Sequence, residues 1–305
     1  MPIVKRTPTI KQATKPLRLH QANDDVSLPE KVNTPPTHFS DYQIFLYGQK
    51  GIGKSSLASE WEGAVINQWE TGRRHLAVLQ IPKPGEKPLN WERFKRYVEL
   101  EISDPRIKSI AVDTVLRAYD ACMDHVCQQL GCSHPNDQND YGKTWGEVRK
   151  EFERVCDSIS QSGKTPIYIA HGDYRTVDNA LTQTKTEVFS PKCSGGCWGY
   201  LQTVCDYVIC LTYRGTERVA VVRGTETVQA SCGPPDTFMH PDNGLPLVEI
   251  PLGHSSREAY ENLCLAFENK LPGTVIEPRQ EAEDTEAVSL EANEPKKTFK
   301  RKGGK

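Results

Sequence analysis

No stretch of the 305 residues approaches the run of about 20 apolar positions that a membrane span needs. The first residues also lack the apolar core of a secretory signal. The expectation is a cytoplasmic protein with no membrane contact. Charge of one sign is missing too. The 38 Lys and Arg are balanced by 40 Asp and Glu, for a net charge of -2. No global basic field exists, so any nucleic-acid contact has to come from local patches. The central part shows no basic stripe with aromatics between the charges. Paired C-x-x-C spacings are absent among the ten cysteines. Cys122, His125, Cys127, Cys132 and His134 are of metal-binding types, but their intervals are not those of a zinc ribbon or knuckle, which predicts reduced, helix-buried thiols. What is present is ordinary for a globular chain: 37% hydrophobic and 26% charged residues, and enough length for one sizeable core.

The most informative stretch is Phe45-Leu46-Tyr47-Gly48-Gln49-Lys50-Gly51-Ile52-Gly53-Lys54-Ser55-Ser56-Leu57-Ala58, an apolar run feeding a glycine-rich turn that feeds a helix. Gly48 and Gly53-Lys54-Ser55 match G-x-x-x-x-G-K-[ST], between a predicted strand (42–47) and a predicted helix (54–61). Glycines are needed because backbone N–H groups must close around phosphate oxygens, and the helix N-terminus adds its positive dipole end. The loop Gly48, Gln49, Lys50, Gly51, Ile52, Gly53, Lys54, Ser55 and Ser56 is therefore the candidate nucleotide cradle for ATP. Lys54 would meet the β- and γ-phosphates, and the Ser55 hydroxyl would bind Mg²⁺.

Two further strands end in polar residues. Ser109-Ile110-Ala111-Val112-Asp113 has the shape of a Walker B strand, whose Asp113 would share the Mg²⁺ with Ser55. Thr165-Pro166-Ile167-Tyr168-Ile169-Ala170 ends at His171. Between the phosphate loop and Asp113, residues 64–69 read as a short strand ending at Glu70, and Asn90 caps a helix to about Ile102. Helices are expected over 115–130, 144–160 and 255–271, and residues 200–213 read as a long apolar strand, or a short helix plus a strand, that pairs with 217–223. Gly172 to Gly196 is long, polar and Thr-rich and is read as a functional or disordered loop. The flanks, 1–37 and 274–305, are read as disordered arms around a main domain at 38–273. The first mixes Pro with Lys and Arg, and the second turns from acidic to basic. Other nucleotide chemistries fit less well. Asp113-Thr114-Val115-Leu116 lacks the Gly of D-x-x-G, N-K-x-D is absent, and no Arg-rich lid of a small-molecule kinase is visible.

The phosphate loop, the strands ending in Glu70, Asp113 and His171, and Tyr141-Gly142-Lys143-Thr144-Trp145 ahead of a long helix together resemble the phage-encoded, RecA-like P-loop ATPases of the AAA superfamily. Some of these act as single-strand annealing proteins. The resemblance covers roughly 39–271 and implies an α/β fold, a mostly parallel sheet flanked by helices. It further implies that Glu70 activates the attacking water and that His171 contacts the γ-phosphate, where RecA-type proteins usually carry Gln. It places a mobile DNA-binding loop at Gly172–Gly196, with Arg175, Lys185 and Lys192 as its basic contacts. It also implies single-stranded DNA as partner, self-assembly into a homo-oligomer, and recruitment of a single-strand-binding protein through the arms. An adaptor gated by nucleotide, with little turnover, is the alternative.

Overall fold

Six segments that are largely apolar where they pair in parallel, with little helical periodicity, build the parallel part of a single sheet: β1 (Ile44–Gly48), β2 (Ala64–Gln68), β3 (Leu79–Ile81), β4 (Ser109–Asp113), β5 (Thr165–Asn179, parallel in its first half) and β7 (Tyr207–Arg214). The computed structural model describes residues 30–70, 75–179 and 184–275. It divides at Pro35/Pro36 into two units. In the first, residues 30–35 are exposed; the second carries everything below. The expected arms fall largely at 1–29 and 276–305, outside the described residues.

The strand order is β11-β10-β8-β7-β1-β5-β4-β2-β3, where β8 is Glu217–Val221, β10 Leu247–Pro251 and β11 Thr274–Val275. β6 (Thr184–Pro191) pairs with β5, and β9 (Ser231–Cys232) with β7. β5 thus lies between the phosphate-loop strand and the Asp113 strand. From β1 the chain crosses to β2 on one side, whereas from β5, after β6 and α5, it passes to β7 on the other side of β1, so the crevice of the topological switch opens at the carboxyl ends of β1 and its neighbour β5, where ligands of open α/β sheets bind.

Both faces of the sheet are covered, which is why β1, β4 and β5 read as continuous apolar runs rather than alternating ones. Phe45, Tyr47, Val65, Ile110, Val112, Tyr168 and Ala170 point to a layer made by α2 (Trp91–Ser103), α3 (Val115–Leu130), α4 (Lys143–Ser160) and α5 (Gly195–Val204). Ile44, Leu46, Ile66, Ala111, Ile167 and Ile169 point to α1 (Lys54–Ala58) and α6 (Ser256–Phe267). This alternation places the site. Glu70, Asp113 and His171 have the parity of Ile66, Ala111 and Ile169, so all three belong to the α1 side.

Most predicted boundaries hold within a few residues, and Asn90 caps α2 by accepting from the Arg93 N–H. The segment 172–196 differs. Instead of a loop, β5 runs on past His171 to Asn179 and returns as β6, an antiparallel ribbon in which Tyr174 faces Phe189 and Thr176 faces Glu187. The β-branched residues of this stretch, Thr176, Val177, Thr186 and Val188, favour extended backbone, and cross-strand pairing supplies what a polar segment cannot obtain from burial. In α5, Trp198 is a core residue and Tyr200 packs, partly buried, against the same cluster. Trp198 packs edge-on against Phe45, and the Tyr200 hydroxyl donates to Asp157.

Candidate nucleotide site

Gly48 ends β1 beside β7, at φ +152°, and a Cβ there would lie 2.2 Å from the Leu211 carbonyl oxygen. Only glycine lets the chain leave the sheet at this point. The next residues turn out to Gly53 (φ +103°), and α1 begins at Lys54. Its first-turn N–H groups have no intrahelical acceptor and face the crevice as a ready anion cradle. Gln49, Lys50 and Gly51 are exposed, whereas Ile52 is a core side chain that anchors the loop. Lys54 is buried, and its Nζ donates to the carbonyls of Gly48 (2.9 Å) and Gln49 (2.8 Å), which places the ammonium inside the loop.

Ser55 Oγ donates to Asp113 Oδ2 at 2.6 Å, and Asp113 is fully buried. The phosphate-loop hydroxyl and the Walker B carboxylate, far apart in the chain, are thus in direct contact. Their hard oxygen donors are the class that Mg²⁺ takes, and a Cβ at Gly51 would meet no heavy atom within 4 Å. The residues present fit a magnesium nucleotide.

Glu70 and His171 also meet. His171 Nε2 lies 3.2 Å from Glu70 Oε2, and the Thr114 hydroxyl donates to Glu70 Oε1 at 3.2 Å. Register explains the meeting: Gly48 pairs with His171, Gln68 with Asp113, and Asp113 with Ile169, so the strand tips stand level. Thr114 was missed at the sequence level, although its place directly after Asp113 at a strand tip is a usable signal.

This constellation, and a match between the AAA domain family model and residues 40–231, decide the family. The chain belongs to the AAA domain family. No protein of curated function matches the chain. Among solved structures, it is similar to a KaiC-like protein from the hyperthermophilic archaeon Pyrococcus horikoshii OT3, at 12% identity over 72% of this chain and 88% of that one, with a TM-score of 0.38.

The predicted DNA contacts of this AAA domain are placed differently from one another. Arg175 Nη2 donates to the carbonyls of Pro191 (2.7 Å) and Cys193 (3.1 Å), fastening the base of the ribbon. Lys185 and Lys192 are exposed, opposite Asp178 (4.0 Å) and Asp173 (3.8 Å). Such surface pairs are weak and give way to a stronger anion. The ribbon is tied to the phosphate loop through Tyr47, whose hydroxyl donates to the carbonyls of Phe189 (3.0 Å) and Gln229 (2.5 Å). Burial drives the Tyr47 hydroxyl far above its ordinary range, so it remains a donor. Among the described residues no three His, Cys, Asp or Glu side chains gather into a metal site. In the Cys/His-rich segment, His125 meets Glu92, and His134 accepts from the Asn136 N–H. No described helix is long and apolar enough to cross a membrane.

Proposed function

We propose that this AAA-type P-loop ATPase domain hydrolyses ATP and uses the nucleotide state to control single-stranded DNA on the β5–β6 ribbon, in recombination or annealing of the phage type. The observation that carries the reading is the position of His171. It contacts Glu70 on one side and continues without a break into the ribbon on the other. In this reading the first turn of α1 binds the phosphates and Lys54 meets the β- and γ-oxygens. Ser55 and Asp113 hold Mg²⁺, which neutralises phosphate charge when bound. Glu70 takes a proton from the attacking water. His171 then reports the γ-phosphate to the ribbon, with Tyr47 and Phe189 as a second mechanical link.

Lys185 in the ribbon and Lys192 just past it are exposed and serve as its DNA contacts, while Arg175, also exposed, holds the ribbon's shape. The proposal includes self-assembly, a cytoplasmic setting and recruitment of a single-strand-binding protein by the arms at 1–37 and 274–305. Their composition and the resemblance to RecA-like phage proteins support these points. One observation favours the adaptor alternative: both carboxylate oxygens of Glu70 already have hydrogen-bond partners, so water activation requires one of them to be released.

ATP turnover with and without single-stranded DNA, alongside fluorescence anisotropy of a labelled oligonucleotide with ATP analogue, with ADP and without nucleotide, tests the reading. DNA-stimulated turnover and nucleotide-dependent binding that weakens with salt are expected. Lys185→Ala with Lys192→Ala should remove the nucleotide-dependent part, and removal of both arms should lower the salt slope. Nucleotide binding with negligible turnover would select the adaptor, and the absence of saturable DNA binding in every nucleotide state would refute the DNA role.

A further inference from the structure

The flank of the phosphate loop opposite Asp113 carries a cation that the reading above does not use. Arg218 is the second residue of β8 and pairs with Tyr213, just beyond the level at which Leu211 pairs with Gly48. Its parity is that of Ala220, so the side chain lies on the α1 face of the sheet. The guanidinium is held on one side only. Nε and Nη2 donate to the Gly253 carbonyl at 3.2 and 2.9 Å, and Nη2 also donates to the Ser255 carbonyl at 3.0 Å.

The loop that supplies these carbonyls is itself fixed. Gly253 has φ +63°, and a Cβ there would overlap the Glu258 carboxylate at 2.0 Å. The Ser255 hydroxyl accepts from the Glu258 N–H, and Glu258 accepts from the His254 N–H. Ser256 Oγ donates to Glu60 just beyond α1 at 2.6 Å. A guanidinium pinned by two of its nitrogens to a rigid loop presents the third in a set direction. That third nitrogen, Nη1, donates to no described residue and lies against the phosphate loop, 3.1 Å from where a Cβ on Gly53 would stand.

The strand order says which end of a nucleotide would meet it. Asp113, Glu70 and His171 lie on the β5, β4 and β2 side of β1 and define the end where the γ-phosphate and metal belong. Arg218 lies on the β7–β8 side. A phosphate chain running across the loop from the metal end leaves it, at its α-phosphate and sugar, on the Arg218 side. We infer that Arg218 Nη1 is a binding donor for the α-phosphate and sugar end of the nucleotide, acting within the same chain that holds the phosphates. The inference rests on the nucleotide reading of the phosphate loop. It accounts for glycine at 53 by a second route besides φ, since a side chain there would crowd the donor.

A contact at the α-phosphate end is common to ATP and ADP, whereas a contact to the γ-phosphate separates them. Titration of wild-type, Arg218→Gln and Arg218→Lys proteins with ATP and ADP in Mg²⁺ is the experiment, with inorganic tripolyphosphate as a probe that lacks the nucleoside. Charge-assisted hydrogen bonds are strong enough that Arg218→Gln should weaken ATP and ADP alike by about tenfold or more. Tripolyphosphate should lose less. Arg218→Lys keeps the charge without the fork and should recover part of the loss.

A measurement on the unmutated protein guards against a folding defect. Saturating ADP should protect Arg218 from phenylglyoxal, read by peptide mass spectrometry. Wild-type affinity for both nucleotides in both variants, or a loss confined to ATP, would overturn the inference. Equal modification of Arg218 with and without ADP would do the same. Wild-type protein that binds neither nucleotide would instead overturn the phosphate-loop reading beneath it, which keeps the two failures apart.

Discussion

Glu101 offers a test of how β2 is held in place before Glu70. It lies on the buried face of α2, 3% exposed, and accepts one hydrogen bond, from Asn67 Nδ2 at 3.1 Å. Asn67 is fully buried in β2, three residues before Glu70. Glu101 Oε1 and Asn67 Oδ1 both lack a partner among the described residues. Burial, only partly opposed by the Asn67 hydrogen bond, pushes the Glu101 carboxyl up from 4.5 to about 7. The sign follows from proton counting. Between about pH 4.5 and 7 the folded chain holds a proton that the unfolded chain has released, so stability falls as pH rises through that window. Below it the carboxyl is neutral in both states and costs nothing extra; above it the full cost applies. A difference of about 2.5 units at about 1.4 kcal/mol each amounts to roughly 3 kcal/mol.

Glu101→Gln keeps the shape and the acceptor for Asn67 and adds an N–H donor that Asn67 Oδ1 lacks. The variant should match wild type near pH 4.5 and exceed it by about 3 kcal/mol at pH 8. At about 2–4 °C per kcal/mol for a domain of this size, that is a rise in Tm of roughly 6–12 °C at pH 8. Thermal melts followed by tryptophan fluorescence from pH 4.5 to 8 measure it. A variant-minus-wild-type difference that stays flat across the range, or that grows toward acid, would refute the reasoning.

Lys54→Ala should abolish nucleotide binding or turnover while circular dichroism stays native, since it removes the ammonium held inside the loop and no core contact; unchanged ATP affinity and turnover would sink the assignment. Glu70→Gln should keep ATP affinity and lower turnover by about a hundredfold or more, because the amide keeps a hydrogen bond to Thr114 but cannot take a proton. Wild-type turnover in that variant would place the base elsewhere. Asp113→Asn should weaken the Mg²⁺-dependent part of ATP binding, read by titration with and without EDTA, and leave any Mg²⁺-independent part intact. Gly172→Ala should displace the ribbon, since a Cβ there would lie 2.1 Å from the Phe189 ring. Overpacking of this kind costs about 1–3 kcal/mol, and the coupling of DNA binding to nucleotide should fall while ATP affinity holds.

Contiguity explains what was legible in the sequence. The phosphate loop is a strand, a turn and a helix start within fourteen successive residues, so glycine spacing, Lys54 and Ser55 already state their chemistry along the chain. Glu70, Asp113 and His171 could be named because the buried, parallel part of a strand is a short apolar run whose end shows, although at His171 the strand itself continues into the ribbon. Helices α2, α3 and α4 were legible from their apolar periodicity and, at α2, from the Asn90 cap. Pairings were not legible. That Ser55 touches Asp113, and that Glu70 touches both Thr114 and His171, follows from the order β1-β5-β4-β2 and from a register that levels the strand tips. Neither order nor register is written in any one segment.

The ribbon was hidden because its polar composition looks like loop, and its stability comes from cross-strand partners rather than burial. Arg175 shows the limit most plainly: its charge made it a candidate DNA contact, and only the folded ribbon reveals that its guanidinium also donates to the Pro191 and Cys193 carbonyls. Arg218 shows the converse. Nothing near it in the chain marks it, and only the antiparallel return of β8 beside β7 brings its guanidinium to Gly53. Sequence alone determined the chemistry that local backbone geometry can express, a glycine-rich loop fit to cradle phosphate, with a lysine and a hydroxyl of the class that Mg²⁺ takes. Tertiary structure decided which distant side chains complete it, because hydrogen bonds are made over about 3 Å and only the folded sheet brings those residues that close.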